Sequence, residues 1–120
     1  MLIVDDEPLI RMDLADMVRD AGHVVLEAAD ADEAIALLEA HPAIRILVTD
    51  IEMPGSMNGL KLAAAVRDRW PPVAIIVTSG RIQPAAHQMP AAAVFLDKPY
   101  RAAAMSAALD AAAASLPPAR

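Results

Sequence analysis

Five short runs of apolar residues, separated by longer stretches, constrain the fold of this chain more than any other feature of its sequence. The runs cover residues 2–4, 24–26, 44–48, 73–77 and 94–96, and they are rich in Val, Ile and Leu. Runs of this kind are typical of strands buried on both faces, as in a parallel sheet covered by helices. Because parallel neighbours need crossover connections, the alternation predicts repeated strand-then-helix units.

The stretches between the runs carry helix start and stop signals. Pro8 suits a first-turn position, and Gly22 follows the last turn of the same stretch. Asp30 with Glu33 forms a capping-box pattern, and Asn58 can cap the next helix. The last stretch carries an apolar stripe made of Met105, Leu109, Ala112 and Leu116.

These units predict one α/β domain over residues 1–120, built as a three-layer sandwich. The fourth unit is the weakest, because Pro84 and Pro90 fall between the fourth and fifth runs. Proline disrupts helix interiors, so we expect only a shortened helix there, over residues 84–88. The first run starts beside Met1, which leaves further residues upstream open, and residues 117–120 suit either a terminus or the start of a linker.

Charge and composition exclude several classes of function. The 16 acidic and 10 basic residues give a formal net charge of −6, the wrong sign for a surface that binds DNA or RNA directly. The absence of cysteine excludes disulfides, thiolate metal sites and thiol nucleophiles. No run reaches the roughly 18 apolar residues that a membrane span needs, so we expect a cytoplasmic protein.

Polar residues follow the apolar runs where ligands gather in an open parallel sheet, outside the carboxyl ends of the strands. They are Asp5, Asp6 and Glu7 after the first run, Asp50 and Glu52 after the third, Thr78 and Ser79 after the fourth, and Lys98 after the fifth. Clustered carboxylates resist being ionised together, so they imply either a raised pKa or a bound cation. With oxygen ligands alone, the suitable cation is Mg²⁺ or a substitute such as Mn²⁺. A lysine and a hydroxyl beside such an ion fit phosphoryl transfer.

Several of these residues also have a structural interpretation. Acidic residues are favoured at the start of a helix, which accounts for Asp5 and Asp6 without a metal. Thr78 can bond the backbone at a strand end, and Phe95 fits the spacing of a plain core residue. The combination with Asp50 on another strand end favours a functional site.

Four motifs resemble those of the receiver domains of two-component response regulators. They are LIVDDEP at 2–8, ILVTDIEMPG at 46–55, IVTSG at 76–80 and FLDKPY at 95–100, in order and each at a predicted strand end. The resemblance spans nearly the whole chain. It implies a CheY-like fold, a doubly wound, flavodoxin-like (βα)5 sandwich whose five parallel strands lie in the order 2-1-3-4-5.

The resemblance also implies a role for each acidic residue. Asp50 resembles the phosphoacceptor, which receives a phosphoryl group from a sensor histidine kinase or a histidine phosphotransfer protein. Asp6 and Asp50 would bind Mg²⁺ through their side chains. Glu52 would bind it through its backbone carbonyl, and Asp5 would help directly or through water. Such a module is not an enzyme beyond its own phosphorylation and dephosphorylation.

Three further residues match the switch of the family. Lys98 resembles the lysine that pairs with the phosphoryl oxygens, and the Lys98–Pro99 peptide is expected to be cis. Thr78 resembles the hydroxyl that moves toward the phosphoryl group, and Phe95 stands where the family has a rotating aromatic side chain. Phosphorylation would change a protein-binding surface for an unidentified downstream protein or output domain, and a phosphorylation-dependent dimer stays open.

The chain departs from the family pattern in two places. The turn at residues 55–59 is one residue longer, and Asn58 stands in for an acidic residue. The shortened fourth helix shifts partner recognition toward the first and last helices.

At Glu52, two positions after Asp50, the family tunes the lifetime of the phosphoryl group. Our hypothesis is that the Glu52 carboxylate repels attacking water and slows self-dephosphorylation.

Two other functions remain as alternatives. A Mg²⁺-dependent phosphatase also uses an aspartate nucleophile with a second acid two positions later, but the Asp-Gly-Thr context is missing around Asp50 and Glu52. A receiver-like scaffold that is never phosphorylated is disfavoured, because the residues needed for the chemistry are present: Asp6, Asp50, Thr78 and Lys98.

Overall fold

Strands and helices alternate along the chain up to the last two strands. The computed structural model describes residues 1–53, 57–80, 84–85, 88–90 and 92–115. In chain order the elements are β1 (Leu2–Val4), α1 (Pro8–Asp20), β2 (Leu26–Ala28), α2 (Ala31–Ala40), β3 (Ile46–Asp50), α3 (Gly59–Arg69), β4 (Ala74–Ser79), β5 (Val94–Asp97) and α4 (Ala102–Ser115). None of the helices within these ranges is long and apolar enough to cross a membrane.

The five strands form one parallel sheet in the order β2-β1-β3-β4-β5. This confirms the strand order that the family resemblance implied. Sequence order reverses at the β1–β3 pair, so the carboxyl ends of these two strands are neighbours. Leu2 is in register with Leu26 of β2 and Leu47 of β3. Asp50, at the end of β3, is in register with Thr78 of β4.

Helices cover both faces of the sheet, because strand side chains alternate between two apolar cores. On one face Leu47 packs with α2 and α3, through residues such as Leu38 and Leu62. On the other face Val48 packs with α1 and α4, where Met105 is fully buried. Each buried side chain of this size contributes about 1.5–3 kcal/mol. The three-layer sandwich confirms the predicted fold class.

The helix boundaries follow the predicted signals. Pro8 is the first residue of α1, and Gly22 adopts a φ of 97° just beyond that helix, a conformation that glycine reaches without steric cost. Asp30 caps α2 by accepting a hydrogen bond from the Glu33 amide at 2.8 Å. Asn58 caps α3 in the same way, accepting from the amide three residues later at 3.0 Å.

Strands β2 and β3 each begin and end two residues later than predicted, since β3 is Ile46–Asp50 rather than 44–48. The apolar run predicted a strand over 24–26, whereas the strand is Leu26–Ala28. Val24 is 83% exposed, and β2 begins where the Leu26 amide donates to the Met1 carbonyl at 2.9 Å. The run is misleading here because pairing with β1, rather than apolar content, determines where an edge strand begins.

The connection between β4 and β5 contains no α-helix in its described residues, 80, 84–85, 88–90 and 92–93. The short helix predicted over 84–88 includes residues 86 and 87, which lie outside the described residues. The longer turn predicted at 55–59 and the stripe residue Leu116 also fall, wholly or partly, outside them. The other members of that stripe are buried on α4 as predicted: Met105, Leu109 and Ala112.

Candidate functional site

Three aspartates meet at the carboxyl ends of β1 and β3. Asp5 and Asp6 follow β1, and Asp50 is the last residue of β3. One carboxylate oxygen from each lies within 4.8 Å of the other two. Asp5 is 5% exposed and Asp50 is 4% exposed, whereas Asp6 is more open to solvent. Adjacent strands thus bring together carboxylates that lie far apart in the sequence.

Asp5 is held by hydrogen bonds at both carboxylate oxygens and at its main chain. Its Oδ1 accepts a hydrogen bond from the Glu7 amide and its Oδ2 accepts one from the Lys98 ammonium, each at 2.9 Å. The Asp5 amide donates to the Ala28 carbonyl at 3.1 Å, and the Asp5 carbonyl accepts from Arg11 Nη1 at 2.8 Å. One Asp5 oxygen is therefore held by the loop before α1, through the N-cap residue Glu7, and Lys98 binds the other.

Asp50 has a buried oxygen that lacks a hydrogen-bond donor among the described residues, namely Oδ1. The Lys98 ammonium lies 3.4 Å from this oxygen, close enough for an ion pair but without hydrogen-bond geometry. Burial raises the pKa of Asp50 to about 7; the Lys98 charge opposes the shift, and Asp5 and Glu52 add to it. Because burial disfavours the charged form, full ionisation of this carboxyl at neutral pH requires additional positive charge.

Lys98 joins the end of β5 to the carboxylates. Burial would lower the pKa of Lys98, but the hydrogen bond and charge of Asp5, together with Asp50, raise it above its ordinary value. The Lys98 amide donates to the Ser79 carbonyl at 2.8 Å, which ties this part of the chain to β4. The peptide between Lys98 and Pro99 is cis, as expected. The ammonium is therefore a protonated, well-anchored cation at the site.

The site fits a hard divalent cation. Its donors are oxygens, the ligands that Mg²⁺ prefers and that Mn²⁺ also accepts. The buried Asp50 Oδ1 has no hydrogen-bond donor in the described part of the chain, and such an oxygen is costly unless something else binds it. Asp50 also lines a cavity of about 230 Å³, together with Asp6, Glu7, Glu52, Gly80 and Lys98. Since a water occupies about 30 Å³, the cavity has room for an ion with several waters.

Glu52 lines this cavity from the loop after β3. Its Oε1 accepts a hydrogen bond from the Ser79 hydroxyl at 2.5 Å. Ser79 is 1% exposed and is the last residue of β4, so it holds the Glu52 carboxylate at the cavity wall. Burial is the main cause of the raised pKa of Asp50, and Glu52 adds to the shift.

The two residues expected to act as a switch differ in how close they lie to the site. Thr78 is 3% exposed and in register with Asp50, and its carbonyl accepts from the Ile51 amide at 2.9 Å. Phe95 is half-buried on β5, in register with Val77, and packs against the core beneath α2 and α3. It is not among the described residues that line the cavity. The sheet therefore brings Thr78 to the carboxylates and leaves Phe95 one strand further out.

The main chain at Asp50 packs closely against the start of α3. The Gly59 amide donates to the Ile51 carbonyl at 2.9 Å, and a Cβ on Gly59 would lie 1.9 Å from the Asp50 carbonyl oxygen. Only glycine permits this approach of two backbones. The fully buried Thr49 hydroxyl donates to the same Asp50 carbonyl at 3.0 Å. These contacts fix the backbone that carries the Asp50 carboxylate.

Two residues near the site were missed by the sequence analysis. Arg11 bonds the Asp5 carbonyl, and the sequence held one signal for it, because a cation in the first turn of a helix opposes the helix dipole. Tyr100 lines a second cavity of about 480 Å³ beside Lys98 and α1. Burial raises the pKa of Tyr100. No pattern in the sequence distinguishes Tyr100 from a packing residue.

Comparisons with known proteins agree with this architecture. A family model described as the response regulator receiver domain matches residues 1–110. The chain is 40% identical over 114 residues to the positive alginate biosynthesis regulatory protein of Pseudomonas aeruginosa, covering 91% of this chain and 45% of that protein. It is 36% identical over 80 residues to the transcriptional regulatory protein PdtaR of Mycobacterium tuberculosis, covering 66% of this chain and 38% of that protein. The chain thus spans less than half the length of these curated relatives.

Solved structures of receiver proteins share the fold. A response regulator receiver protein from Sinorhizobium medicae superposes with a TM-score of 0.86 at 27% identity, covering 95% of this chain and 93% of that one. The receiver domain of NtrX from Brucella abortus superposes with a TM-score of 0.84 at 29% identity, covering 95% of this chain and 98% of that one. By its motifs, its strand order and these matches, the chain belongs to the receiver domains of two-component response regulators.

Proposed function

We propose that residues 1–120 form a single receiver domain whose Asp50 accepts a phosphoryl group from a phosphohistidine. The observation that carries the proposal is the buried Asp50 Oδ1, which lies 3.4 Å from the Lys98 ammonium and lacks a hydrogen-bond donor among the described residues. The Asp50 carboxylate also lines the cavity of about 230 Å³, so a phosphoryl group can approach this nucleophile beside positive charge. The phosphoryl donor is a sensor histidine kinase or a histidine phosphotransfer protein, and the relatives named as regulatory proteins are consistent with a signalling output.

The transfer starts from the ionised carboxylate of Asp50. One of its oxygens attacks phosphorus, so an O–P bond forms while the N–P bond of the phosphohistidine breaks and its electron pair returns to the imidazole nitrogen. The transition state spreads charge over the phosphoryl oxygens, so catalysis consists largely of positioning and neutralisation. Because burial raises the pKa of Asp50 to about 7 in the metal-free site, positive charge nearby increases the fraction of ionised nucleophile.

We assign cation binding to the side chains of Asp6 and Asp50. The Glu52 carbonyl contributes a further oxygen, and Asp5 takes part directly or through water. The close approach of the three aspartates supports this assignment. A bound Mg²⁺, or Mn²⁺ in its place, supplies charge neutralisation of the carboxylates and phosphoryl oxygens. Lys98, which Asp5 and Asp50 keep protonated, pairs with the remaining phosphoryl oxygens.

Phosphorylation then alters the surface around β5 and α4. It replaces one negative charge on Asp50 with about two and adds acceptor oxygens. Thr78 is in register with Asp50, and we propose that its hydroxyl shifts to donate to the phosphoryl group. Phe95 is on the neighbouring strand, in register with Val77, and we propose that the shift of Thr78 makes room for the Phe95 ring. The altered surface binds a downstream protein, an output domain or a second copy in a phosphorylation-dependent dimer.

This function makes the chain a signalling module that carries out only its own phosphorylation and dephosphorylation. A Mg²⁺-dependent phosphatase has less support, because the second acid, Glu52, is hydrogen-bonded to the Ser79 hydroxyl at the wall of the cavity. A scaffold that is never phosphorylated has less support too, because it has no need for the costly buried oxygen of Asp50. The cytoplasmic location stays a prediction of the sequence.

The test is intact mass after incubation with Mg²⁺ and acetyl phosphate. Wild type is expected to gain one phosphate, and Asp50→Asn is expected to gain none. Asp68→Asn is the matched control, because Asp68 is an exposed aspartate on α3 whose replacement changes the net charge equally. It is expected to be labelled like wild type.

Three results contradict the proposal in different ways. Label on Asp50→Asn identifies another acceptor. Hydrolysis of phosphomonoesters without accumulated label favours the phosphatase. No label on wild type, in the presence of bound Mg²⁺, favours the scaffold.

A further inference from the structure

Arg11 stands at a position where a helix disfavours a cation. It ends the first turn of α1 (Pro8–Asp20), a turn with no acidic residue, and positive charge there opposes the helix dipole. Its side chain is nevertheless only 18% exposed. The favourable interactions of this guanidinium therefore lie outside its own helix.

The Arg11 guanidinium joins three parts of the fold. Its Nη1 donates to the Asp5 carbonyl at 2.8 Å, in the loop that links β1 to α1. Its Nε donates to Glu27 Oε1 at 3.3 Å, on the edge strand β2. Such charge-assisted bonds from a planar fork fix direction as well as distance. The Arg11 side chain thus connects the loop that carries Asp5 and Asp6 to α1 and to β2.

The bond to the Asp5 carbonyl controls more than Asp5 itself. That carbonyl belongs to the peptide group that connects Asp5 to Asp6, and a peptide group is a rigid plane. The amide on the other side of Asp5 is already fixed, because it donates to the Ala28 carbonyl at 3.1 Å. Both peptide groups that flank Asp5 are therefore held, and the chain continues from Asp5 to Asp6 in a fixed direction. This fixes the position of the Asp6 Cα, from which the Asp6 carboxylate reaches the 4.8 Å cluster with Asp5 and Asp50.

We propose that Arg11 is a positioning residue of the divalent-cation site, acting through the Asp5–Asp6 peptide group. The inference rests on the proposed function, because it concerns the same site. Arg11 does not line the cavity beside the carboxylates, so it acts on the cation through the backbone. Asp6 is the most exposed of the three aspartates, and it therefore depends most on its backbone for direction.

Glu27 and Arg19 supply a matched comparison. Arg19 Nη2 also pairs with Glu27, through Oε2 at the same distance of 3.3 Å, and it bonds the Val25 carbonyl at 3.4 Å. The structure gives Arg19 no bond to Asp5 or Asp6 among the described contacts. Loss of Arg19 thus removes an ion pair with Glu27 of the same length and leaves the loop bond from Arg11 in place.

The test is the dissociation constant for Mg²⁺, measured by calorimetry without a phosphodonor. Loss of partners outside the metal ligands typically weakens metal binding about 10–100-fold, and we expect about tenfold for Arg11→Met. Arg11→Lys retains one donor for the Asp5 carbonyl and is expected to restore part of the affinity. Arg19→Met is expected to bind Mg²⁺ like wild type. Glu27→Gln, which loosens Arg11 without removing it, is expected to show a smaller loss.

A second measurement needs no cation. In EDTA, the Glu7 amide, which donates to Asp5 Oδ1, is expected to exchange its hydrogen faster in Arg11→Met than in Arg19→Met. Equal Mg²⁺ affinity for Arg11→Met and wild type, or equal losses in the Arg11 and Arg19 variants, overturns the inference. If Arg11→Met does not fold, unchanged affinity in both Arg11→Lys and Glu27→Gln overturns it. Wild type that binds no Mg²⁺ overturns the proposed function as well.

Discussion

Replacement of Asp50 by asparagine is expected to stabilise the metal-free protein at neutral and alkaline pH. Asp50 is 4% exposed, and burial, with Asp5 and Glu52, raises its pKa from an ordinary 3.8 to about 7. The native protein therefore binds this proton more tightly than the unfolded chain does. The charged carboxylate is the unfavourable form in the native state, and asparagine removes the charge with little change in shape.

The size of the effect follows from the two pKa values of Asp50. The difference between 3.8 and about 7 corresponds to about 4 kcal/mol at a pH above both values. This is an upper limit, because the buried amide of the variant also loses hydration, which costs about 1–3 kcal/mol where partners are missing. We expect the free energy of unfolding to rise by about 2 kcal/mol and the melting temperature by about 8 °C.

The effect has a definite direction with pH. Below about pH 4 the Asp50 carboxyl is protonated in both states, so the substitution changes little. Between about pH 4 and about pH 7 the unfolded chain releases this proton while the native protein retains it, so wild type loses stability relative to the variant as the pH rises. Above that range the difference between the two proteins is constant.

The assay is urea denaturation in EDTA across this pH range, followed by circular dichroism and by the fluorescence of the single tryptophan, Trp70. Asp68→Asn controls for the change in net charge and is expected to have little effect, since Asp68 is exposed. With millimolar Mg²⁺, wild type gains stability through ligand binding and Asp50→Asn gains less. The reasoning is refuted if Asp50→Asn is less stable than wild type in EDTA above about pH 7, or if the difference does not depend on pH.

Two other substitutions test the packing and the chemistry around Asp50. Gly59→Ala would bring a Cβ to 1.9 Å from the Asp50 carbonyl oxygen, whereas in Gly80→Ala the nearest atom to the new Cβ is 3.6 Å away. We expect Gly59→Ala to lower the free energy of unfolding, measured by urea denaturation, by about 1–3 kcal/mol and Gly80→Ala to lower it less. Equal losses in the two variants contradict this reasoning. Glu52→Ala is expected to speed loss of phosphate from Asp50 about fivefold, equivalent to roughly 1 kcal/mol. Ser79→Ala, which removes the hydrogen bond from the Ser79 hydroxyl to this carboxylate, should have a smaller effect in intact mass followed over time. An unchanged decay rate in Glu52→Ala rejects the hypothesis.

The fold was largely predictable because local patterns and topology agree. Each apolar run located its strand to within two residues, and the caps at Asp30 and Asn58 were read from residue type and spacing. The apolar content of a run does not indicate which strands are neighbours in the sheet, so the strand order came from the family resemblance. Strands β2 and β3 were each placed two residues too early for the same reason, because the start of a strand depends on its pairing with its neighbours.

The candidate site was predictable in its membership but not in its contacts. The rule that ligands gather at the carboxyl ends of strands selected Asp50 and Lys98 from positions far apart. Lys98 lies 2.9 Å from the Asp5 carboxylate and 3.4 Å from that of Asp50. The spacing of residues in the sequence does not indicate which of the two carboxylates Lys98 bonds. The same holds for the bond from Ser79 to Glu52 and for Arg11, whose partners come from other elements.

The carboxylates of the site differ in how many protein donors serve them, and this difference supports separate roles. Both oxygens of Asp5 accept hydrogen bonds, and Glu52 accepts one from Ser79. Asp50 keeps an oxygen with no hydrogen-bond donor among the described residues, although burial makes that arrangement unfavourable for it. Binding capacity is thus concentrated on Asp50 and on the more exposed Asp6. A cation or phosphoryl group that binds the Asp50 carboxylate relieves an electrostatic cost already present in the folded protein, so ligand binding and stability are coupled through this side chain.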